Sequence, residues 1–364
     1  MPFVFNMPPL TALSRDQNNA ILKPIKAGEI VVMSGCPGSG KTTVVVHRIV
    51  KNKASDFMYL AYGKLLVRYL KNMMMNKDVN VEKLKTIHSW YWGQSRQFLT
   101  DDEGRPNNNF RNHLDRAKRN LNISELFMDE AQDLHIDIIT EFAGLAPKVF
   151  ICADQAQDVF GRNVDALNLV DLITNKFTAA NKVVYNIHLA TNYRNTKSNY
   201  EFAAACAPNI NVANIESFAR SEGDRPELYR CSDVKAMNAL FLQKIKENPS
   251  YTIGVICSSV AKVKEVGKIM TENKIEFTMY HNGVKDSEEI KEIIVTTYHS
   301  CKGLEFDLVI MPYVETFQTE TEAQIKQLYV GMTRAKEKLF LLTSVDTLPL
   351  FLQAVNTNLY ISKK

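Results

Sequence analysis

With 364 residues, 45% of them hydrophobic, the chain can bury two cores of ordinary domain size. A net charge of +4 permits a polyanionic partner without requiring one, and six cysteines with no CxxC pair or regular spacing argue against a disulfide framework or a zinc site. The opening MPFVFNMPPL lacks the basic start of a signal peptide and no apolar run reaches membrane-spanning length, so a cytoplasmic protein with reduced thiols and no membrane partner is expected.

In chain order, apolar runs bounded by turn residues predict strands at 29–34, 56–61, 84–87, 125–128, 147–152 and 183–189. Helical segments alternate with them, which predicts a first α/β domain with a parallel sheet over residues 1–185. Residues 186–364 form a second domain, with strands at 226–231, 251–257, 275–280, 293–297, 307–312 and 338–343 and helices over 264–275 and 321–337.

The first strand leads into a phosphate-binding signature. Gly35, Gly40, Lys41 and Thr42 fit G-x-x-x-x-G-K-S/T, with EIVVMSG before the loop and the helix-like KTTVVVHRIV after it. Glycines at 35, 38 and 40 let the backbone curl so that its N–H groups face phosphate oxygens. The loop residues Gly35, Pro37, Gly38, Ser39, Gly40, Lys41, Thr42 and Thr43 are therefore candidate nucleotide contacts. Lys41 would reach the β- and γ-phosphates and Thr42 would offer its hydroxyl to Mg²⁺. An accidental match in a Gly-Ser turn is the alternative, and the flanking strand and helix weigh against it. The run Leu126 to Met128 then ends in Asp129-Glu130, placing two carboxylates at a strand's carboxyl end, where open α/β sheets bind ligands. Asp129 would hold Mg²⁺, and Glu130 would orient or deprotonate the lytic water. Alone, the pair could equally be a solvated acidic turn.

DEAQD also resembles the second motif of superfamily 1 helicases of the UvrD/Rep type, and further segments follow in that family's order. LSRDQNNAI (13–21) is similar to the glutamine motif, which implies that Gln17 reads the adenine edge. MYLAYGKLLVRYL (58–70) and KTIHSWYW (85–92) resemble nucleic-acid segments, implying roles for Tyr62 and His88. VFICADQAQDVFG (149–161) implies Gln157 as a γ-phosphate sensor, followed by Phe160 and by Arg162 where the family has a stacking tryptophan. LATNYRN (189–195) implies Tyr193 against adenine and Arg194 on the phosphates. VTTYHSCKGLEFDLVIMP (295–312) implies Gly303 and Glu305 near the nucleotide and His299 at the nucleic acid. QLYVGMTRAKEKLFLL (327–342) implies Arg334 as an arginine finger. The implied fold is α/β, two RecA-like P-loop NTPase domains, each a mainly parallel sheet flanked by helices, with ATP and Mg²⁺ between them.

Two departures stand out. The family inserts an accessory subdomain into each motor domain, yet only 35 positions separate Ser89 from Ser124, room for a short helix pair. The interval from Arg194 to Val295 is already filled by the second domain's own strands. Thr43 also stands where the family places an arginine against adenine, which leaves adenine to Gln17 and Tyr193. Tyr62 either stacks on a base or packs. Arg105, Arg111, Arg116, Lys118 and Arg119 form either a phosphate-binding stripe or a solvated helix face. The expectation is a nearly bare nucleic-acid-dependent ATPase, a DNA helicase or single-stranded DNA translocase with 3′-to-5′ family polarity that acts with a protein partner such as a nuclease. An ATP-hydrolysing sensor that switches such an effector, and an RNA-directed motor, are the alternatives.

Overall fold

A computed structural model of the chain describes residues 7–52, 56–154, 169–208, 210, 215, 217–281 and 290–364. It divides into two compact units, the first centred on Phe5–Thr191 and the second on Asn192–Lys364.

In the first unit the order is α1 (Arg15–Leu22), β1 (Glu29–Gly35), α2 (Lys41–Lys51), β2 (Phe57–Ala61), α3 (Lys64–Met74), β3 (Leu84–Thr86), α4 (Ile87–Ser95) and α5 (Phe110–Lys118). Then come β4 (Glu125–Asp129), α6 (Ile136–Ala143), β5 (Lys148–Ala153), α7 (Leu169–Ala179) and β6 (Val183–Leu189). The sheet runs β3-β2-β4-β5-β1-β6 and every neighbouring pair is parallel. All residues of β2 and β4 are buried, as expected of strands covered on both faces. α1 opens on a capping box in which the Ser14 hydroxyl accepts from Gln17 N and the Gln17 side chain accepts from Ser14 N.

The segment between Ser89 and Ser124 is the expected helix pair. Trp90 and Tyr91 of α4, Leu99, and Phe110 and Leu114 of α5 all join the unit's own core, so the segment adds no layer. Trp92 behaves differently from Trp90: it is exposed and leans on the exposed ring of Phe98.

One buried ion pair ties the loop helix to the strand that carries the acidic pair. Arg48 of α2 donates through Nε to Glu125 Oε1 at 2.7 Å, and through Nη1 to the carbonyl of Lys23 at 2.7 Å and of Ile21 at 3.1 Å. Both charged groups are at most 4% exposed. Breaking such a pair from one side leaves an uncompensated charge in the interior. Arg48→Ala is therefore expected to cost about 3–5 kcal/mol, read as a lower urea midpoint, with Arg48→Ala/Glu125→Gln less destabilised than the single variant.

In the second unit, β7 (Thr191–Asn192) pairs with β8 (Ser217–Phe218), with α8 (Lys197–Ala205) between them. The elements that follow are β9 (Glu227–Arg230), α9 (Val234–Lys246), β10 (Ile253–Cys257), α10 (Val260–Glu272), β11 (Thr278–Tyr280), β12 (Ile293–Thr297) and β13 (Phe306–Met311). The unit closes with α11 (Glu322–Met332), β14 (Ala335–Thr343), α12 (Leu350–Gln353) and β15 (Ile361–Lys363). Its sheet, β11-β12-β10-β13-β14-β9-β15, is again parallel throughout.

Two expectations need correction, and one strand was not expected. β6 lies wholly in the first sheet, so the first unit runs past residue 185 to Thr191. The helix expected over 321–337 stops at Met332, because β14 begins at Ala335 and leaves Thr333 and Arg334 in the turn. β15 was not anticipated; at three residues it is too short to show a period. Among the described residues no helix is long and apolar enough to cross a membrane.

Candidate active site

β1 delivers the chain at Gly35 and α2 departs at Lys41, so the loop between them is held at both ends. A Cβ on Gly35 would lie 2.5 Å from Ser39 Oγ and 2.7 Å from the Leu189 carbonyl oxygen. Gly40 has φ +85°, and a Cβ there would come within 2.4 Å of Gln17 Nε2. Gln17 is buried, and its Nε2 donates to the Ser39 carbonyl at 3.0 Å. Its oxygen is taken by the capping box, so in this structure Gln17 braces the loop with both ends of its amide.

Lys41 folds back over the same loop. Its Nζ donates to the carbonyls of Gly35 (2.6 Å) and Cys36 (3.1 Å) and to Asp154 Oδ2 at 3.2 Å. Asp154 is buried at the carboxyl end of β5. A triphosphate seated on the loop would compete for this ammonium.

The acidic pair sits one strand beyond β5. Asp129 Oδ2 accepts from Thr42 Oγ1 at 2.8 Å and from the Tyr59 hydroxyl at 2.9 Å, while Oδ1 accepts from Glu130 N at 3.0 Å. Burial, and then the neighbouring Glu130 charge, push the Asp129 carboxyl up to about 6. The native state thus holds this proton more tightly than the unfolded chain. Its contribution to stability is lost as pH rises from the ordinary value of 3.8 through about 6. A divalent cation would relieve that penalty. One hydroxyl and one carboxylate already in contact fit Mg²⁺, which is held by one or two protein ligands plus phosphate oxygens and water. Among the described residues no cluster of three or more His, Cys, Asp or Glu could hold a metal, so the phosphates would complete the shell.

Glu130 follows with φ +55°, an uncommon backbone for a residue other than glycine. Its Oε2 accepts a short hydrogen bond from Gln132 Nε2, and Gln132 Oε1 accepts from Asp154 N at 3.0 Å. Gln132 thereby links the candidate base to the carboxyl end of β5.

Tyr59, Gln132 and Asp154 were not anticipated as site residues. Asp154 had a readable signal, a carboxylate ending a strand that neighbours the loop strand. Tyr59 had none, since it reads as one more apolar residue of β2. Its hydroxyl fixes the orientation of the Asp129 carboxylate. Tyr59→Phe is expected to raise the Mg²⁺ concentration needed for half-maximal nucleotide binding about tenfold while leaving Mg²⁺-free binding unchanged, measured by calorimetry.

In the second unit Arg194 Nε donates to Glu305 Oε2 at 3.1 Å, and its Nη1 is buried without a hydrogen-bond partner. Such an orphan donor is costly unless a ligand satisfies it. Glu305 is thus held by Arg194 within its own unit. Gly303 adopts φ +80° in the turn before β13, and Tyr193, next to Arg194 in the chain, is half-buried. Arg334 is 1% exposed, with Nε on the Val330 carbonyl at 2.9 Å and Nη1 on that of Leu304 at 3.3 Å.

Of the nucleic-acid candidates, Tyr62 and His88 meet edge to face at 5.2 Å, at the carboxyl ends of β2 and β3. His299 stacks on Tyr298 at 4.4 Å, and burial lowers its pKa, which favours a neutral ring. Gln157, Phe160 and Arg162 lie outside the described residues.

Comparison with known proteins matches residues 292–342 to a UvrD-like helicase C-terminal domain and residues 17–160 to an AAA domain. The RecBCD enzyme subunit RecB of Chlamydia pneumoniae is 38% identical over 69 residues, 18% of this chain and 6% of that protein. A protein of Acanthamoeba polyphaga mimivirus, named putative ATP-dependent DNA helicase, is 25% identical over 256 residues. That match covers 62% of this chain and 35% of the viral protein, so the chain spans only a minor part of either relative. The C-terminal domain of a possible DNA helicase from Lactobacillus plantarum aligns with a TM-score of 0.39 at 24% identity, over 47% of this chain and 99% of that one.

Proposed function

We propose that the chain is a superfamily 1 motor of the UvrD/Rep type that hydrolyses ATP to drive movement along single-stranded DNA. Its matches to a UvrD-like helicase C-terminal domain and to an ATP-dependent helicase homologue support this reading. The carrying observation is the Thr42–Asp129–Tyr59 cluster beside Lys41 and Glu130. It offers a phosphate cradle, a metal-binding carboxylate and a candidate base at one sheet edge. Bound Mg²⁺ would supply charge neutralisation on the phosphate oxygens. Lys41 would exchange its loop carbonyls for phosphate oxygens, and Thr42 and Asp129 would hold the cation. Glu130, held by Gln132, orients the attacking water and accepts its proton. Arg194 Nη1, Arg334 and Gln157 take their roles on the γ-phosphate, and Gln17 and Tyr193 theirs on adenine, from the family resemblance. Tyr62, His88 and His299 are the proposed contacts to the strand.

The short Ser89–Ser124 segment, packed into the core, favours a motor that relies on a partner protein for duplex contacts. By its name the RecB relative is a subunit of a larger enzyme, which supports that reading. The same segment also favours the second reading, an ATP-driven sensor that switches an effector without stepping.

Displacement of streptavidin from end-biotinylated DNA and RNA oligonucleotides separates these. A 3′-to-5′ DNA translocase frees streptavidin from the 5′ end of DNA with ATP present. Stimulated hydrolysis with no displacement from either end would favour the sensor, and displacement confined to RNA would make the motor RNA-directed.

A further inference from the structure

The amino edge of the first sheet carries a concavity for which the proposed hydrolysis has no use. Its volume is about 720 Å³, and its lining includes Gly28, Pro147 and Lys182, the residues just ahead of β1, β5 and β6. The phosphate loop lies at the other end of β1, seven residues and about 20 Å away. Ile30, Leu145 and Phe177, all nearly fully buried, contribute the apolar floor.

Four cations converge on the rim from two separate parts of the chain. Arg111 and Lys118 stand seven positions apart on α5, one face of a helix, and Lys176 and Lys182 flank the end of α7. Arg111 pairs with Glu141 at 2.8 Å, and Asp137 also lines the wall. Among the described residues no carboxylate lies within ion-pair distance of Lys118, Lys176 or Lys182. Two carboxylates against four cations leave the hollow positive. The helix stripe left open between phosphate contact and solvated face thus has half of a charged pocket on it.

We infer that this hollow docks an acidic segment of a partner protein, an apolar side chain on the floor with flanking carboxylates on Lys118, Lys176 and Lys182. The apolar floor and the Asp137 and Glu141 carboxylates argue for this occupant over a nucleic-acid strand. A phosphate backbone gains nothing from a buried apolar floor and meets those carboxylates with a charge at every residue. A peptide can space its charges around an anchor. The volume falls in the range of pockets that bury most of a small ligand. This deepens the partner reading, yet peptide binding is read without nucleotide, so its failure would leave the proposed hydrolysis standing.

The test is fluorescence polarisation with a fluorescein-labelled peptide Asp-Glu-Leu-Phe-Asp-Glu, run beside labelled oligothymidylate, on the whole chain without nucleotide. The peptide is expected to bind more tightly than about 1 mM. The combined change Lys118→Glu, Lys176→Glu and Lys182→Glu is expected to weaken it at least about tenfold while ATP turnover stays unchanged. Ala180→Trp, which fills the hollow and keeps the lysines, is expected to weaken the peptide and spare oligothymidylate. No saturable peptide binding, equal binding by the wild type and both variants, or a loss confined to oligothymidylate would each overturn the inference. The last would assign the hollow to nucleic acid.

Discussion

Lys41→Ala is expected to lower ATP turnover at least about 10²–10³-fold, the usual loss when one preorganised donor to a developing charge is removed. The same change removes the cation that faces buried Asp154 at 3.2 Å. The variant is therefore expected to lose stability as well, by about 3–5 kcal/mol, the cost of breaking a buried pair from one side. A lysine read purely as a phosphate contact would leave the fold untouched. Adding Asp154→Asn to Lys41→Ala separates the two effects. Thermal denaturation should show most of the lost stability restored, while turnover in the double variant stays at background. If Lys41→Ala still hydrolyses ATP within about tenfold of the wild type, the phosphate assignment fails.

Glu130→Gln is the second large effect. A positioned general base contributes about 10²–10⁴-fold, and the amide keeps the shape of the carboxylate without its basicity. The hydrogen bond from Gln132 survives if the new amide presents its oxygen to Gln132 Nε2. Nucleotide and Mg²⁺ should therefore bind as in the wild type while single-turnover hydrolysis falls about 10²–10⁴-fold. Unchanged hydrolysis with weakened binding would make Glu130 a binding residue and move the base elsewhere.

The strands were legible because most are apolar runs closed by turn residues, several of them β-branched, as in EIVVMSG and KVFICA. The end of α11 was not, since GMTRAKEK holds no proline or late glycine and its charges suit a helix as well as a strand. In the site, the glycines, Lys41, Thr42, Asp129 and Glu130 were readable because loop chemistry and strand ends demand those residue types. Tyr59 is placed by strand register and Gln132 by the turn after β4, which no local pattern encodes, whereas Asp154 was marked only by its position at a strand's end. Ser34 of β1 stands opposite Ala153 of β5, which sets Asp154 beside the loop. Ala61 of β2 stands opposite Asp129, which brings Tyr59 within a side chain's length of the Asp129 carboxylate. The burial of Arg334 on the carbonyls of Val330 and Leu304 is equally a property of the packed unit, since arginine in a turn reads as solvent-facing.

The central claim is that ATP hydrolysis in this chain answers to a nucleic-acid strand. ATP turnover measured at saturating Mg²⁺, with and without single-stranded DNA, tests it most directly. A motor should show low basal turnover that rises at least about tenfold with the strand and returns to background in Lys41→Ala. Turnover unchanged by any single-stranded or duplex nucleic acid would contradict the account.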